Sequence, residues 1–342
     1  MIVTYIRSSS YNNYDYCQMQ YYITYVLGHR SVSGKKAQLG TVVHKALEVL
    51  ASCTKKSQEN PDKKSLFVND DAIGKVNFTP AKLKTKKFVM DMLDRSYEHY
   101  TTTCEAKHKY TGADKKFCIT QTNNALDYNN GQFDPRKRKI VDTEPQFDIP
   151  IDEPWAKIKY KDKDGKEVEG RLAIKGTIDL VTEIEDGIIE VVDWKTGQRK
   201  NWATGEEKTY EKLLEDPQLL LYNYAISKLY PNYKQAIMTI FYTRDGGPFS
   251  MCFDEDDQKK FLGMLEQRVK QIQHNKYPSL CSRNRTSFKC TRLCSFYKKN
   301  WEGTNISMCE HVENNLKAFG HDETVEKCTR EGFNVGYYEA PG

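Results

Sequence analysis

The stretch Gly176–Lys195, which reads GTIDLVTEIEDGIIEVVDWK, limits the possible folds more than any other part of the sequence. Two short apolar runs, Thr177–Thr182 and Ile188–Trp194, flank a segment that ends in Asp186-Gly187. Asp-Gly between alternating apolar residues is a strong signal for a β-hairpin. The sequence therefore predicts two antiparallel strands that meet at a tight turn.

The second of these strands ends in two charged side chains. Asp193 and Lys195 are two residues apart, so the alternation of a strand turns both to one face. Asp179 on the partner strand would bring a second carboxylate to the same place, and two carboxylates suit a hard divalent cation. The alternative is a surface ion pair between Asp193 and Lys195, which is the commoner explanation of this pattern when it occurs alone.

Composition limits the class of protein. The chain has 342 residues, enough for one or two domains, and is 38% hydrophobic and 29% charged. It has no apolar run long enough to span a membrane, and its first residues lack the apolar region of a secretory signal. We therefore expect an intracellular protein with no membrane partner. The net charge of +5 permits a polyanionic partner without requiring one.

The ten cysteines are unevenly distributed. One stands near the beginning and five in the last quarter, whereas the remaining four are scattered. In a reducing compartment, clustered cysteines bind metal more often than they form disulfides. The clustered set comprises Cys17, Cys281, Cys290, Cys294, Cys309 and Cys328.

Two segments predict helices that carry polar pairs on one face. Residues 39–50 repeat apolar side chains at helical spacing, with His44 and Glu48 four residues apart. This histidine either pairs with the glutamate at the surface or reaches a metal beside the sheet. Asp216-Pro217 is a helix start, and it places Gln218 and Tyr222 on one face.

The remaining segments complete an α/β pattern. Residues 144–174 and 236–253 predict further strands, and residues 256–274 predict an amphipathic helix. Residues 52–80 are polar and predict a loop or an insertion. The basic runs 82–87 and 136–139 would either follow a nucleic-acid backbone or form a solvated charged surface.

Four short motifs together resemble the PD-(D/E)XK nuclease superfamily, in particular its RecB-like exonuclease branch, which includes CRISPR-associated and phage-encoded single-domain nucleases. They are Gly40-x3-His44, Gly176-x2-Asp179, Asp193-x-Lys195-Thr196-Gly197 and Gln218-x3-Tyr222. The resemblance implies an α/β fold with a restriction-endonuclease-like core, in which helices flank a mixed central β-sheet.

The resemblance also implies a site. It assigns the binding of Mg²⁺ or Mn²⁺ to His44, Asp179, Asp193 and the backbone carbonyl of Trp194, and it makes Lys195 the catalytic lysine. Gln218 and Tyr222 match a motif associated with the active site and with DNA positioning, and we count them with Asp179, Asp193 and Lys195 as catalytic. We do not place Glu144 in this site, and strand parity turns Glu190 away from Asp193.

Many members of this branch hold a [4Fe–4S] cluster on one cysteine before the nuclease core and three after it. Here Cys17, Cys290 and Cys294 fit three positions, and Cys309 is the expected fourth, with Cys281 as its competitor. Zinc in the same site and unrelated buried thiols are the alternatives.

The cluster would join the two ends of the chain. We expect an N-terminal segment (1–38), a nuclease core (39–275) with a helical, basic insertion at about 52–140, and a cysteine-rich C-terminal segment (276–342).

The implied function is a metal-dependent exonuclease that hydrolyses phosphodiester bonds at DNA ends in replication, recombination or repair. A recombination or replication protein would be a further partner, and a phage-encoded enzyme would act in the host cytoplasm. The first alternative is a DNA-end binding partner of a helicase or annealing protein with little turnover. The second is a structure-specific endonuclease.

Overall fold

A computed structural model describes residues 1–161, 165–200, 205–245, 247–279, 288–298 and 300–333. It shows a mixed α/β protein in which helices flank a central mixed sheet. The described strands are β1 (Tyr5–Ile6), β2 (Leu66–Asp70), β3 (Gly74–Phe78), β4 (Lys139–Thr143), β5 (Gln146–Pro150), β6 (Lys157–Lys161), β7 (Glu167–Arg171), β8 (Ala173–Thr177), β9 (Leu180–Glu185), β10 (Ile188–Lys195), β11 (Gln235–Tyr242) and β12 (Gly247–Cys252).

Helices lie near both ends of the described chain and between β1 and β4. The described α-helices are α1 (Ser8–Tyr16), α2 (Gln18–Tyr21), α3 (Lys35–Gln58), α4 (Pro80–Leu83), α5 (Lys86–Thr103), α6 (Gly112–Asp127), α7 (Tyr210–Leu214), α8 (Pro217–Leu229), α9 (Glu255–His274), α10 (Ser295–Lys298) and α11 (Met308–Cys328). No helix in the described part of the chain is long and apolar enough to cross a membrane.

The central sheet has the strand order β12-β11-β10-β9-β4. Strands β10 and β11 pair in parallel, and the other neighbours pair antiparallel. The predicted hairpin is confirmed: β9 and β10 meet at Asp186-Gly187, where Gly187 has φ +80°. That value lies in the left-handed region, which glycine adopts without steric cost. The mixed sheet with flanking helices is therefore as expected.

The paired segments β4–β5 and β8–β9 bend at the same point. β4 leads into β5, and β8 leads into β9. Beyond the bend, β5 and β8 pair in a second sheet with the strand order β1-β8-β5. At the bend, the Glu144 N–H donates to the Asp179 carbonyl (3.2 Å), and the Ile178 N–H donates to the Pro145 carbonyl (3.2 Å). The predicted strand from Thr177 to Thr182 is thus interrupted just where Asp179 lies.

Successive side chains of β10 point to opposite faces of the sheet, and each face packs in its own hydrophobic core. Val191 packs in a core with α8, α9 and the N-terminal helices, whereas Val192 and Trp194 pack in a second core with α3 and the insertion. Asp193 shares the first face with Val191, and Glu190 shares the opposite face with Val192, as strand parity predicts.

The insertion contains more regular structure than its polar sequence predicts. Helix α3 extends to Gln58, and β2 and β3 form an antiparallel hairpin within residues 52–80, which we expected to be a loop or an insertion. Leu66, Val76 and Phe78 are buried on one face of this hairpin. The other face, with Phe67, Asn69, Lys75 and Asn77, is exposed, whereas most of the charged residues that favour a loop lie in the last turns of α3 and in residues 59–65.

A buried polar network lies behind β10. The Arg138 guanidinium donates to one oxygen of Glu190, and the Thr239 hydroxyl donates to the other. Thr239 also contacts the Ser250 hydroxyl at 2.8 Å. Because Arg138 and Glu190 are both nearly inaccessible to solvent, each charge depends on its partner.

We expect Arg138→Met to lower the free energy of unfolding by about 3 kcal/mol, because it leaves the Glu190 carboxylate buried without its counter-ion. Denaturant unfolding measures this change. Arg138→Met/Glu190→Gln should recover part of the loss. Lys159→Met, which removes an exposed pair with Glu167 and Glu169, is the control and should leave the midpoint unchanged. Equal midpoints for Arg138→Met and wild type would show that the buried pair adds no stability.

Candidate functional site

A pocket of about 490 Å³ opens where α3, α5, the strand bend and the end of β10 meet. Helix α3 contributes one wall because its polar side chains recur every three or four residues on the side that faces the sheet. The lining residues are Ala37, Gly40, Thr41, His44, Lys45, Glu48, Tyr100, Glu144, Asp179, Trp194, Lys195, Thr196 and Gly197.

The Asp179 side chain, at the strand bend, contacts both α3 and β10. Its Oδ2 atom accepts a hydrogen bond from the Trp194 backbone N–H (2.7 Å) and lies 3.3 Å from His44 Nδ1. Burial alone would raise the pKa of Asp179, but His44, Lys195 and the Trp194 N–H outweigh burial and lower it. Burial alone would lower the pKa of His44, and Asp179 reverses the direction and raises it. Each group therefore favours the charged form of the other.

Asp193 and Lys195 project from β10 into the same region. Lys195 Nζ lies 2.6 Å from Asp193 Oδ2, and Asp193 is only 2% exposed. Among the described residues, none gives this Oδ2 atom a hydrogen bond of normal geometry. Burial and the neighbouring charge of Asp179 raise the pKa of Asp193, although Lys195 opposes them. Burial alone would lower the pKa of Lys195, but Asp193 and Asp179 raise it.

Gln218 and Tyr222 fix the position of this acidic pair. Helix α8 begins as predicted, because Asp216 accepts the Gln218 N–H and Pro217 occupies the first turn. The Gln218 amide donates to Asp193 Oδ1 (2.8 Å) and to the Tyr222 hydroxyl (3.0 Å). Tyr222 in turn donates to the Thr177 carbonyl (3.0 Å), two residues before Asp179.

Residues 8–298 match the PD-(D/E)XK nuclease superfamily. The chain belongs to this superfamily. Among solved structures, it is similar to a candidate exonuclease from Eubacterium rectale, with 11% identity and a TM-score of 0.46 over 90% of this chain and 92% of that one. None of the curated proteins matches the sequence.

The donor set of this PD-(D/E)XK site is suited to a hard divalent cation. Two carboxylates and an imidazole converge, and the buried Oδ2 atom of Asp193 has the Lys195 ammonium as its one ion-pair partner among the described residues. In the described part of the chain, however, no three His, Cys, Asp or Glu side chains are arranged around a common metal position. His44 and Lys195 instead occupy the carboxylate oxygens that a cation would need, and so the side chains would have to separate for a cation to bind.

Glu144 lines this PD-(D/E)XK pocket, although we did not place it in the site. It has φ +49°, a backbone conformation that residues other than glycine seldom adopt. Burial, together with the charges of Asp179 and Glu48, raises the pKa of Glu144 to about 8. The start of a strand was the only sequence signal at this position, and it does not reveal a bend that turns the side chain into a pocket.

Lys45 connects the insertion to the pocket. Its ammonium lies 2.6 Å from Glu48 Oε2 on the same helix and 3.1 Å from Asp70 Oδ2 on the hairpin. Asp70 also accepts the N–H groups of Ala72 and Ile73, which close the hairpin turn. His44 and Glu48 share a helix face as predicted, but Glu48 pairs with Lys45 and not with His44. The β2–β3 hairpin thus contacts Lys45 through Asp70, and α5 contributes Tyr100 to the pocket.

The cysteines are partly brought together. Burial raises the pKa of Cys294, and nearby Cys17 and Cys290 raise it further, although the Tyr297 and Phe296 N–H groups oppose them. Cys309 is half-buried and packs against the hydrophobic core that contains Cys17 and Val191. Cys281 lies outside the described residues. The described chain does not show a metal-binding group of cysteines.

We expect Tyr222→Phe to lower the free energy of unfolding by about 1 kcal/mol, because the Thr177 carbonyl and the Gln218 amide each lose a buried partner. Tyr210→Phe is the matched control, since Tyr210 is an exposed tyrosine on α7. Chemical denaturation of both variants measures the difference. If the two variants lost the same stability, the hydroxyl of Tyr222 would have no special role.

Proposed function

We propose that this protein is a metal-dependent exonuclease that hydrolyses phosphodiester bonds at DNA ends in replication, recombination or repair. The observation that carries the proposal is that His44, Asp179 and Lys195 line one pocket, with Asp193 paired to Lys195, in a chain of the PD-(D/E)XK nuclease superfamily. These residues come from α3, from the strand bend and from β10, and His44 is distant from the other three in sequence. A surface ion pair between Asp193 and Lys195 would not need the other two.

The side chains would have three different roles: metal binding, charge stabilisation and positioning. Asp179, Asp193, His44 and the Trp194 carbonyl would hold Mg²⁺ or Mn²⁺, which when bound polarises the phosphate and lowers the pKa of a water nucleophile. Lys195 would stabilise the negative charge that develops on the phosphate. Gln218 and Tyr222 are positioning residues, because their hydrogen bonds go to Asp193 and to the backbone of β8.

We expect the purified protein to degrade end-labelled DNA with Mg²⁺ or Mn²⁺ and to stop when EDTA is added. Asp193→Ala and Lys195→Ala should each lower the rate about a hundredfold or more, because each removes charge from the reacting centre. Asp256→Ala and Lys259→Ala change an exposed pair on α9 and serve as matched controls. Cleavage that persists in Asp193→Ala would show that the site is wrongly assigned.

Two further measurements separate the alternatives. Circular single-stranded DNA has no ends, so an exonuclease should leave it intact, whereas a structure-specific endonuclease could still cut DNA at an internal structure. Tight binding of DNA ends without turnover on any substrate would favour a binding partner of a helicase or annealing protein. The complete set of carboxylates and lysine argues against that alternative, because binding alone does not require them.

We also propose that Cys17, Cys290, Cys294 and Cys309 hold a [4Fe–4S] cluster, with Cys281 as the competitor of Cys309 and zinc as the alternative occupant. The proximity of Cys294 to Cys17 and Cys290 supports this proposal. Thiolates from both ends of the chain would make cluster binding part of the folding free energy.

We expect anaerobically purified protein to contain iron and sulfide and to absorb visible light as iron–sulfur proteins do. Cys294→Ser should lose this absorbance and melt at a lower temperature, whereas Cys252→Ser, at an exposed position on β12, should change neither. Stoichiometric zinc without iron would identify the alternative occupant. Protein that is free of both metals after anaerobic purification would refute the cysteine site.

A further inference from the structure

Thr196 lines the pocket, and its hydroxyl makes no hydrogen bond with any residue that the structure describes. It directly follows Lys195 at the end of β10, and it lines the pocket together with His44 and Asp179. The carboxylates nearby already pair with other donors: Asp179 with the Trp194 N–H, and Asp193 with Gln218 and Lys195. The Thr196 hydroxyl is therefore a donor that remains available to a ligand in the pocket.

Helix α3 leaves space for this hydroxyl. A Cβ atom added at Gly40 would lie 2.8 Å from Thr196 Oγ1, closer than such atoms approach, and no other described atom beyond the adjoining residues and the helix's own backbone lies within 4 Å. Glycine inside a helix costs about 0.5–1 kcal/mol relative to alanine. The helix thus carries a poor helix former at the one place where it passes the hydroxyl.

We propose that the Thr196 hydroxyl donates a hydrogen bond to a non-bridging oxygen of the scissile phosphate, and that Gly40 is required to leave the hydroxyl in place. This rests on the proposed nuclease function. The phosphate is the ligand that fits, because threonine hydroxyls commonly donate to phosphate oxygens and Lys195 provides the adjacent positive charge. The pocket also holds several carboxylates that repel a phosphate, and so donors beside Lys195 are needed to hold it.

Melting temperatures test whether Gly40 is needed to leave space for Thr196 Oγ1. Gly40→Ala should lower the melting temperature of the otherwise unchanged protein, because its Cβ meets Oγ1. In the Thr196→Ala background, which removes Oγ1, the same change should raise the melting temperature, as alanine does at an unobstructed helix position. Gly263→Ala in α9 is the matched control, since no described atom beyond its own helix lies within 4 Å of its added Cβ, and it should stabilise both backgrounds. Stabilisation by Gly40→Ala in both backgrounds would overturn the role of Gly40.

The role of the hydroxyl is tested by kinetics under metal saturation. Thr196→Val keeps the shape of the side chain and removes its donor, so kcat should fall about ten- to a hundredfold, as expected for the loss of a hydrogen bond to a charged group. Thr196→Ser keeps the donor and should retain most of the rate. A merely structural role would be indicated by equal losses in the valine and serine variants, and an unchanged kcat in Thr196→Val would refute the contact.

The two proposals fail in different ways. If Asp193→Ala abolishes cleavage but Thr196→Val cleaves like wild type, the nuclease proposal stands and the phosphate contact is wrong. If Asp193→Ala cleaves like wild type, the site itself is wrong. Melting temperatures of all variants, measured in EDTA, show whether a loss of rate reflects a loss of folded protein.

Discussion

The shared bend of the paired strands at Glu144 and Asp179 determines the geometry of the site. A straight β8–β9 strand would continue its ladder past this point and turn its side chains alternately into the two cores. Instead, the ladder is held on both sides of the bend by backbone hydrogen bonds, and the Asp179 side chain reaches the backbone N–H of Trp194. The Asp179 carboxylate is thereby held by β10. Asp193, two residues before the end of β10, is brought beside it.

The opposite pKa shifts of the two aspartates follow from this arrangement. Asp179 has His44 and a backbone donor, so its charged form is favoured, whereas Asp193 is more deeply buried and experiences the charge of Asp179. Lys195 interacts with both and favours their charged forms. The hydrogen bonds of Gln218 and Tyr222 then link Asp193 to the strand that leads to Asp179. The relative position of the two acids is therefore set by packing before any ligand arrives.

The sequence predicts those parts of the fold that depend on residues adjacent in the chain. The Asp-Gly turn between β9 and β10, and the Asp216-Pro217 start of α8, depend on residues next to one another, and both are found. The bend at Glu144 and the pairing of Lys45 with Asp70 depend on contacts between distant segments, and no residue pattern indicates them. The sequence does not predict the β2–β3 hairpin, because its strands are short and follow the polar residues 59–65, which favour a loop.

The charges of the pocket explain why both cationic and neutral donors matter there. Three carboxylates, Asp179, Glu48 and Glu144, line the pocket with the two ammonium groups of Lys45 and Lys195 and the imidazole of His44. A fourth carboxylate, Asp193, pairs with Lys195. Burial disfavours such an excess of negative charge, and the raised pKa values of Asp193, Glu48 and Glu144 express that cost. A divalent cation would offset the same excess directly. A phosphate adds negative charge to this pocket, so its approach would depend on the cation, on Lys195 and on hydroxyl or backbone donors that bring no charge of their own.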